Sequence, residues 1–123
     1  MSSSNTSNKI KNRPINIALI GCGRISFKHI TSIIKHKNNL KLVAICDCES
    51  NKINTIKDFI LKETKDLSFI NGISIYQSYD KLLLDKTKGE IKVDLVVLTT
   101  PSGLHPSQAI KGAKHGVHVC TEK

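Results

Sequence analysis

From Ile15 onward, short apolar runs alternate with amphipathic stretches along the chain. Runs in which nearly every position is apolar are typical of strands that are buried on both faces of a sheet. They predict five strands, at residues 15–20, 40–46, 73–76, 93–99 and 117–120. Apolar spacing and capping residues predict helices between them, at residues 24–35, 49–62, 78–84 and 106–114. The alternation predicts an α/β fold with a Rossmann-type, doubly wound parallel sheet of about five strands.

Two regions depart from this regular alternation. Residues 63–72 are mostly polar and end in Asn71-Gly72, which predicts a connection that closes in a turn. The sequence stops shortly after the fifth predicted strand, whereas a sixth strand normally covers that edge of a doubly wound sheet. We therefore expect the edge of residues 117–120 to be unpaired, which favours poor solubility or pairing with another chain.

The length and composition fit one globular domain. A chain of 123 residues with 39% hydrophobic and 24% charged residues is close to ordinary globular usage. Residues 1–13 are rich in Ser and Asn and end in basic residues, which is typical of a disordered basic leader and not of a signal peptide. The longest apolar runs fall far short of the ~20 residues that cross a bilayer. We expect a cytoplasmic protein without a membrane partner.

The formal net charge of +9 comes mostly from lysines scattered over the predicted polar helix faces. Neither interleaved aromatic residues nor a nucleic-acid motif accompanies them, so no nucleic-acid partner is expected. A positive field of this kind also favours an anionic cofactor or a nucleotide-sugar.

Four cysteines, Cys22, Cys46, Cys48 and Cys120, raise the alternatives of a metal site or disulfides. Three of them fall inside or beside predicted strands, and none forms a CxxC pair. We interpret them as small buried hydrophobic residues in a reducing compartment, and we expect no bound metal.

The motif with the clearest chemistry follows the first predicted strand directly. It consists of Gly21, Cys22, Gly23, Arg24, Ile25 and Ser26. Between a strand and a helix, this GxGxxG-like pattern indicates dinucleotide binding: Gly21 permits the tight turn, and Gly23 lets the backbone approach a pyrophosphate at the helix N-terminus. Ser26 replaces the usual third Gly or Ala, and it is small enough for close packing of the helix on the strand.

An acidic residue follows the second predicted strand. Asp47 comes 24 positions after Gly23, close to the spacing of about 20 expected for a carboxylate that accepts hydrogen bonds from the adenosine ribose. Its charge repels a 2′-phosphate and no arginine follows it, which favours NAD over NADP. The alternative is that Asp47 only caps the turn into the next helix.

Two further segments lie at the carboxyl ends of predicted strands, where open α/β sheets bind their ligands. In residues 99–106, His105 either contributes to the site or only orients the start of the helix. After the fifth strand comes Glu122-Lys123. Lys123 is able to donate to a substrate oxygen or to lower the pKa of a nearby hydroxyl, although a lysine at this position is also often simply solvated.

On these motifs, residues 15–123 resemble the N-terminal domain of the Gfo/Idh/MocA oxidoreductases. Members of that family have a glycine-rich loop after the first strand, an Asp after the second, a Thr-Pro-(x)n-His segment after the fourth and Glu-Lys-Pro after the fifth. The sequence matches each of these as far as Glu122-Lys123, where it ends. Within the family, the motifs are most similar to those of bacterial dehydrogenases that oxidise C3 of UDP-N-acetylglucosaminuronic acid in the synthesis of lipopolysaccharide and other surface polysaccharides.

The resemblance implies NAD as the cofactor and a hydride transferred from the nucleotide-sugar to the nicotinamide. Lys123 matches the family's catalytic lysine, which lies beside the nicotinamide and helps to polarise or deprotonate the reacting hydroxyl. His105 and the Thr100-Pro101 backbone are expected to line the nicotinamide ribose. The complete set of expected cofactor-binding residues is Gly21, Cys22, Gly23, Arg24, Ile25, Asp47, Thr99, Thr100, Pro101, His105, Glu122 and Lys123.

In this family a C-terminal α/β domain supplies a second catalytic group, the substrate pocket and the oligomer interface, and residues 14–123 account only for the NAD-binding domain. We therefore expect a truncated piece of an NAD-dependent sugar dehydrogenase, inactive by itself and homo-oligomeric when complete. The alternatives are another family member acting on inositol, glucose or dihydrodiols, and a non-catalytic NAD-binding module. A methyltransferase is disfavoured because the sequence of residues 99–106 and the Glu122-Lys123 ending are not expected in that class.

Overall fold

The structure, a computed structural model, describes residues 13–121. Its strands are β1 (Ile15–Ile20), β2 (Leu40–Cys46), β3 (Ser74–Tyr76), β4 (Leu95–Leu98) and β5 (His118–Thr121). They pair in parallel and lie in the order β3-β2-β1-β4-β5. Strand order therefore reverses between β1 and β4, as in doubly wound folds. The predicted α/β class and the five-stranded parallel sheet are confirmed.

Helices cover both faces of this sheet. They are α1 (Ser26–Lys35), α2 (Ser50–Thr64), α3 (Leu67–Asn71), α4 (Tyr79–Thr87), a 3₁₀ helix (Ser102–Leu104) and α5 (His105–Lys114). Successive β1 side chains alternate between the two faces: Ile17 and Leu19 pack with α1 and α2, whereas Ala18 and Ile20 pack with α4. The sheet is thus the middle layer of three, with a buried apolar core on each side.

A short helix, α3, occupies part of the stretch that the sequence predicts as a polar connection. The carboxylate of Asp66, the N-cap residue, accepts a hydrogen bond from the Ser68 amide at 3.0 Å, which stabilises the first turn. Phe69 and Ile70 pack against the core on the α1 and α2 side. Three apolar residues within a short polar stretch gave too weak a periodic signal for the helix to be predicted. The turn signal at Gly72 was correct, since Gly72 is the C-cap of α3.

Several element ends differ from the prediction by up to three residues. Helix α1 begins at Ser26 because residues 24–25 form a turn instead. Strand β4 begins at Leu95, two residues late. The carboxylate of Asp94 accepts the amide of Asn16 at 2.8 Å, so a side chain takes the place of a ladder bond there.

Arg13 lies at the other end of the sheet from the motifs, although the sequence assigns it to the leader. Its guanidinium forms a two-pronged ion pair with Asp94, with distances of 2.6 Å (Nη1 to Oδ2) and 2.9 Å (Nη2 to Oδ1). This hydrogen-bonded pair lowers the pKa of the Asp94 carboxyl below its usual value. The contact joins the start of β1 to the start of β4. The remainder of the predicted leader, residues 1–12, lies outside the described residues.

Strand β5 is the outermost strand on its side of the sheet. Within residues 13–121 it pairs with β4 and has no strand on its other side, as predicted. Among the same residues, no helix has both the length and the apolar character needed to span a membrane.

Candidate cofactor site

A cavity of about 610 Å³ opens at the carboxyl ends of β1, β2 and β4. This is the place where strand order reverses, which is where open α/β sheets bind ligands. The cavity wall comes from the loops after these strands and after β3, and from residues of α2, α4 and α5. The lining residues are Ile20, Gly21, Cys22, Gly23, Cys46, Asp47, Cys48, Glu49, Lys52, Gln77, Tyr79, Thr99, Thr100, Pro101, Leu104 and Gln108.

Gly21 makes the close approach that joins the glycine loop to β4. Its φ is +94°, which side chains rarely adopt, and a Cβ atom there would lie 2.9 Å from the Thr100 nitrogen and 3.0 Å from the Thr99 carbonyl carbon. The Gly21 amide donates to the Cys46 carbonyl at 2.7 Å. The sequence predicted a tight turn at Gly21, and the structure shows in addition that the turn packs against another strand end.

Gly23 faces open space instead. A Cβ atom at this position would meet nothing within 4 Å, and Gly23 lines the cavity. The loop stays closed behind it because Ser26, which is completely buried, donates its hydroxyl hydrogen to the Gly23 carbonyl at 2.5 Å. The serine at the third motif position therefore fits closely and adds a hydrogen bond that a Gly or Ala could not form.

Asp47 connects the glycine loop to the start of α2. Its Oδ2 accepts a hydrogen bond from the Cys22 amide and its Oδ1 accepts one from the Glu49 amide, both at 2.8 Å. The bond from the Glu49 amide shows that Asp47 does cap the turn into α2, which was the alternative interpretation of this residue. Each carboxylate oxygen has a second lone pair, so the same side chain is still able to accept a ribose hydroxyl. The ribose contact itself stays a prediction.

Side chains hold the segment after β4. The buried Thr99 donates its hydroxyl hydrogen to the Gly21 carbonyl at 2.6 Å. Thr100 donates to Gln108 Oε1 at 2.5 Å, and His105 Nε2 lies 2.7 Å from the Thr100 carbonyl, to which it donates. Thr99 and Thr100 therefore fix the far wall of the cavity. The His105 contact agrees with the interpretation that this residue orients the start of the helix.

Tyr79 and Gln108 were missed by the sequence analysis. Both line the cavity, and the Tyr79 hydroxyl donates to the Gln108 carbonyl at 2.9 Å. Burial raises the pKa of Tyr79 to about 12, so its hydroxyl stays protonated at neutral pH. A usable signal existed for Tyr79, since it follows β3 and the carboxyl ends of parallel strands share one edge. Gln108 lies on the second turn of α5 and carried no such signal.

The other predicted site residues are placed differently. Arg24, Ile25 and His105 lie outside the cavity lining, with Arg24 and Ile25 exposed. Glu122 and Lys123 lie outside the described residues, so their predicted roles stay predictions.

The four free cysteines form two groups that differ in burial. Cys22 and Cys46 are buried, as predicted, and burial raises the pKa of each thiol to about 12. The prediction of burial was wrong for Cys48 and Cys120, which are exposed. Cys48 follows Asp47 on the cavity wall, and Cys120 lies on the edge strand β5, where it is exposed within the part of the chain that the structure describes.

Ligand atoms of Asp47, Cys48 and Glu49 lie within 4.8 Å of one another. A cluster of this kind could bind a cation, but both Asp47 oxygens accept amide bonds and Glu49 pairs with Lys52. The expectation that no metal binds stays a prediction.

Comparison with known proteins agrees with the geometry. Residues 15–123 match the Gfo/Idh/MocA family, described as an oxidoreductase family with an NAD-binding Rossmann fold. The crystal structure of the WlbA dehydrogenase from Bordetella pertussis, in complex with NADH and UDP-GlcNAcA, is 36% identical with a TM-score of 0.73 over 90% of this chain and 30% of its own.

Two other similar proteins act on different polyols. A structure of scyllo-inositol dehydrogenase from Lactobacillus casei, with bound NAD(H) and scyllo-inositol, is 25% identical with a TM-score of 0.67 over 90% of this chain and 28% of its own. D-glucoside 3-dehydrogenase of Escherichia coli is 25% identical over 110 residues, which are 89% of this chain and 27% of that protein. The chain thus spans between about a quarter and a third of the length of these relatives.

Proposed function

Because the chain belongs to the Gfo/Idh/MocA oxidoreductases and forms their NAD-binding Rossmann domain, we propose that it binds NAD in the cavity at the ends of β1, β2 and β4, as part of a sugar dehydrogenase. The observation that carries this proposal is the open space at Gly23, within a loop that Asp47 and Thr99 hold in place. A backbone held open at a helix N-terminus is the arrangement that accepts a pyrophosphate. Family membership excludes the methyltransferase alternative.

Each part of the cavity then has a role. The amides of residues 23–25, just before α1, face the pyrophosphate, and Asp47 accepts the hydroxyls of the adenosine ribose. Thr99, Thr100 and Pro101 form the wall for the nicotinamide half, with His105 holding Thr100 in position through the 2.7 Å bond to its carbonyl. When bound, NAD accepts the hydride that leaves the substrate carbon.

For the reacting hydroxyl, we assign Lys123 as the group that donates to it or helps to deprotonate it. Thr121 ends β5 and pairs in parallel with Leu98 at the end of β4. Strand β5 therefore ends at the same sheet edge as β4, which supports our proposal of a place for Glu122 and Lys123 beside the nicotinamide half of the cavity.

The proposed substrate is UDP-N-acetylglucosaminuronic acid, oxidised at C3 to the keto sugar. This rests on the motif resemblance and on the 36% identity to the Bordetella pertussis enzyme. We assign the substrate pocket, the second catalytic group and the homo-oligomer interface to a C-terminal domain. We also propose a cytoplasmic location. An inositol dehydrogenase is the second candidate, favoured by the similarity to the Lactobacillus casei enzyme.

Thiol labelling tests the cofactor site directly. Cys48 is exposed on the cavity wall, whereas Cys120 is exposed on β5 outside the lining. With N-ethylmaleimide and mass spectrometry, NAD should slow the labelling of Cys48 and leave the rate at Cys120 unchanged. Equal rates at Cys48 with and without saturating NAD would contradict the proposed site.

The substrate is tested on a protein that carries this chain together with the proposed C-terminal domain. NADH absorbance should rise with UDP-N-acetylglucosaminuronic acid and not with scyllo-inositol. The opposite preference would favour the second candidate, and Lys123→Met in the same protein should abolish the rise while leaving NAD protection of Cys48 intact.

A further inference from the structure

A charged pair, Glu49 and Lys52, lines the cavity next to Asp47. Glu49 occupies the N-cap position of α2, yet its side chain makes no capping hydrogen bond to the helix. Its carboxylate instead lies 3.1 Å from the ammonium of Lys52, one turn further along the chain. Glutamate is not a favoured N-cap residue, so the helix start does not explain why it stands here.

The charges around the predicted ribose position do not cancel. Two carboxylates, Asp47 and Glu49, have oxygens within 4.8 Å of each other, and Lys52 forms an ion pair with Glu49. The hydrogen bond from Lys52 to Glu49, with the charge of Asp47 added, raises the pKa of the lysine. Lys52 therefore stays charged and is engaged by carboxylates.

This arrangement changes the argument about cofactor choice. The lack of an arginine directly after Asp47 in the sequence favours NAD, but Lys52 brings a cation into the same cavity. An ammonium beside the adenosine ribose is the group that would neutralise a 2′-phosphate.

We propose that Glu49 is a specificity-determining residue, which excludes NADP by holding Lys52 in the Glu49–Lys52 ion pair and so withholding this cation from a 2′-phosphate. The inference rests on the proposed function, namely NAD bound with its adenosine ribose at Asp47. Asp47 repels the phosphate by its own charge, and Glu49 removes the cation that would offset that repulsion.

The size of the effect follows from exposure. The Lys52 and Glu49 side chains are 45% and 53% exposed, so water screens the pair and Lys52 moves readily once Glu49 is neutral. Glu49→Gln should raise the NADP-to-NAD affinity ratio by about tenfold, the size of one charge-assisted hydrogen bond at such a site.

The experiment is calorimetric titration of the chain with NAD and with NADP. The variants are Glu49→Gln and the double variant Glu49→Gln/Lys52→Met. Matched controls on the same helix are Glu63→Gln and Glu63→Gln/Lys62→Met, which make the same charge changes at exposed positions outside the cavity lining.

The expected result is a raised ratio in Glu49→Gln that returns to the wild-type value in the double variant, with both controls unchanged. Two results would overturn the inference while NAD binding stays intact: no gain in Glu49→Gln, or an equal gain in the double variant. Failure of the wild-type chain to bind NAD would instead refute the proposed function, and this inference with it.

Discussion

The two loops that meet at the centre of the cavity contribute different groups to the hydrogen bonds that hold them. Residues 21–25 contribute main-chain groups, since the amides of Gly21 and Cys22 donate to the Cys46 carbonyl and to Asp47. Residues 99–104 also contribute side chains, through the hydroxyls of Thr99 and Thr100. Main-chain contacts leave side-chain identity free at most positions but make the glycines critical, whereas the second loop depends on its hydroxyl groups.

The largest expected effect comes from Gly21→Ala. A Cβ atom would stand 2.9 Å from the Thr100 nitrogen at a φ of +94°, so the loop must separate from β4 or the backbone must rearrange. We expect the free energy of unfolding to fall by about 3 kcal/mol, measured by urea denaturation with circular dichroism. Unchanged stability would show that the contact between the two loops is dispensable.

Gly23→Ala makes the same chemical change two residues later and should give the opposite phenotype. The added methyl meets no protein atom within 4 Å, so the free energy of unfolding should change by less than about 1 kcal/mol. NAD affinity should fall by roughly thirtyfold, which is about 2 kcal/mol, because the methyl takes the space of the pyrophosphate. Calorimetric titration checks this, and a tightly binding Gly23→Ala variant would contradict the assigned role of the open space.

Thr99→Val tests the second loop, where a hydroxyl is the critical group. The substitution keeps the shape but leaves the Gly21 carbonyl without its 2.6 Å donor. We expect a loss of about 1–2 kcal/mol in stability. Thr99→Ser, which keeps the hydroxyl, is the control and should lose less. Equal losses in the two variants would show that the hydroxyl contributes no more to stability than the methyl group that Thr99→Ser removes.

Away from the cavity, Asp94→Asn should have the smallest effect. Arg13 lowers the pKa of the Asp94 carboxyl in the folded state, so its contribution is full above the unfolded pKa of about 4 and disappears as the pH falls through the lower folded value. Thermal unfolding should show a difference of about 1 kcal/mol near pH 7 that closes on acidification.

Asp58→Asn, at an exposed position of α2, provides the control for this pH series. It should track the wild type at every pH. A gap for Asp94→Asn that does not close in acid would indicate that the ion pair with Arg13 is not its source.

Much of the fold could be predicted because its strongest determinants are local in sequence. The bounds of β1 and β2 agree with the prediction at both ends, since these central strands are nearly uniform apolar runs. Helix α3 was not predicted, because it is a short peripheral element without a fully buried side chain and leaves little pattern to recognise.

The candidate site divides in the same way. Gly21, Gly23 and Asp47 could be predicted because they lie in loops that directly follow strands, and all three line the cavity. Tyr79 had a comparable signal in its place after β3. Gln108 and the Glu49–Lys52 ion pair had none, because their reach into the cavity depends on how α2 and α5 rotate when they pack. That rotation is a tertiary property, which residue spacing does not encode.

The bond from the Thr99 hydroxyl to the Gly21 carbonyl joins residues that are 78 positions apart. Closing a loop of that length is entropically costly, so contacts between such distant parts of a chain form slowly during folding. We therefore expect this contact between the loops after β1 and β4, which both line the cavity, to form only after the two halves of the sheet have come together around β1. A dinucleotide that binds in this cavity selects the fully assembled chain and raises its population by mass action, so the cofactor should act during biosynthesis as a ligand that rescues folding of this domain.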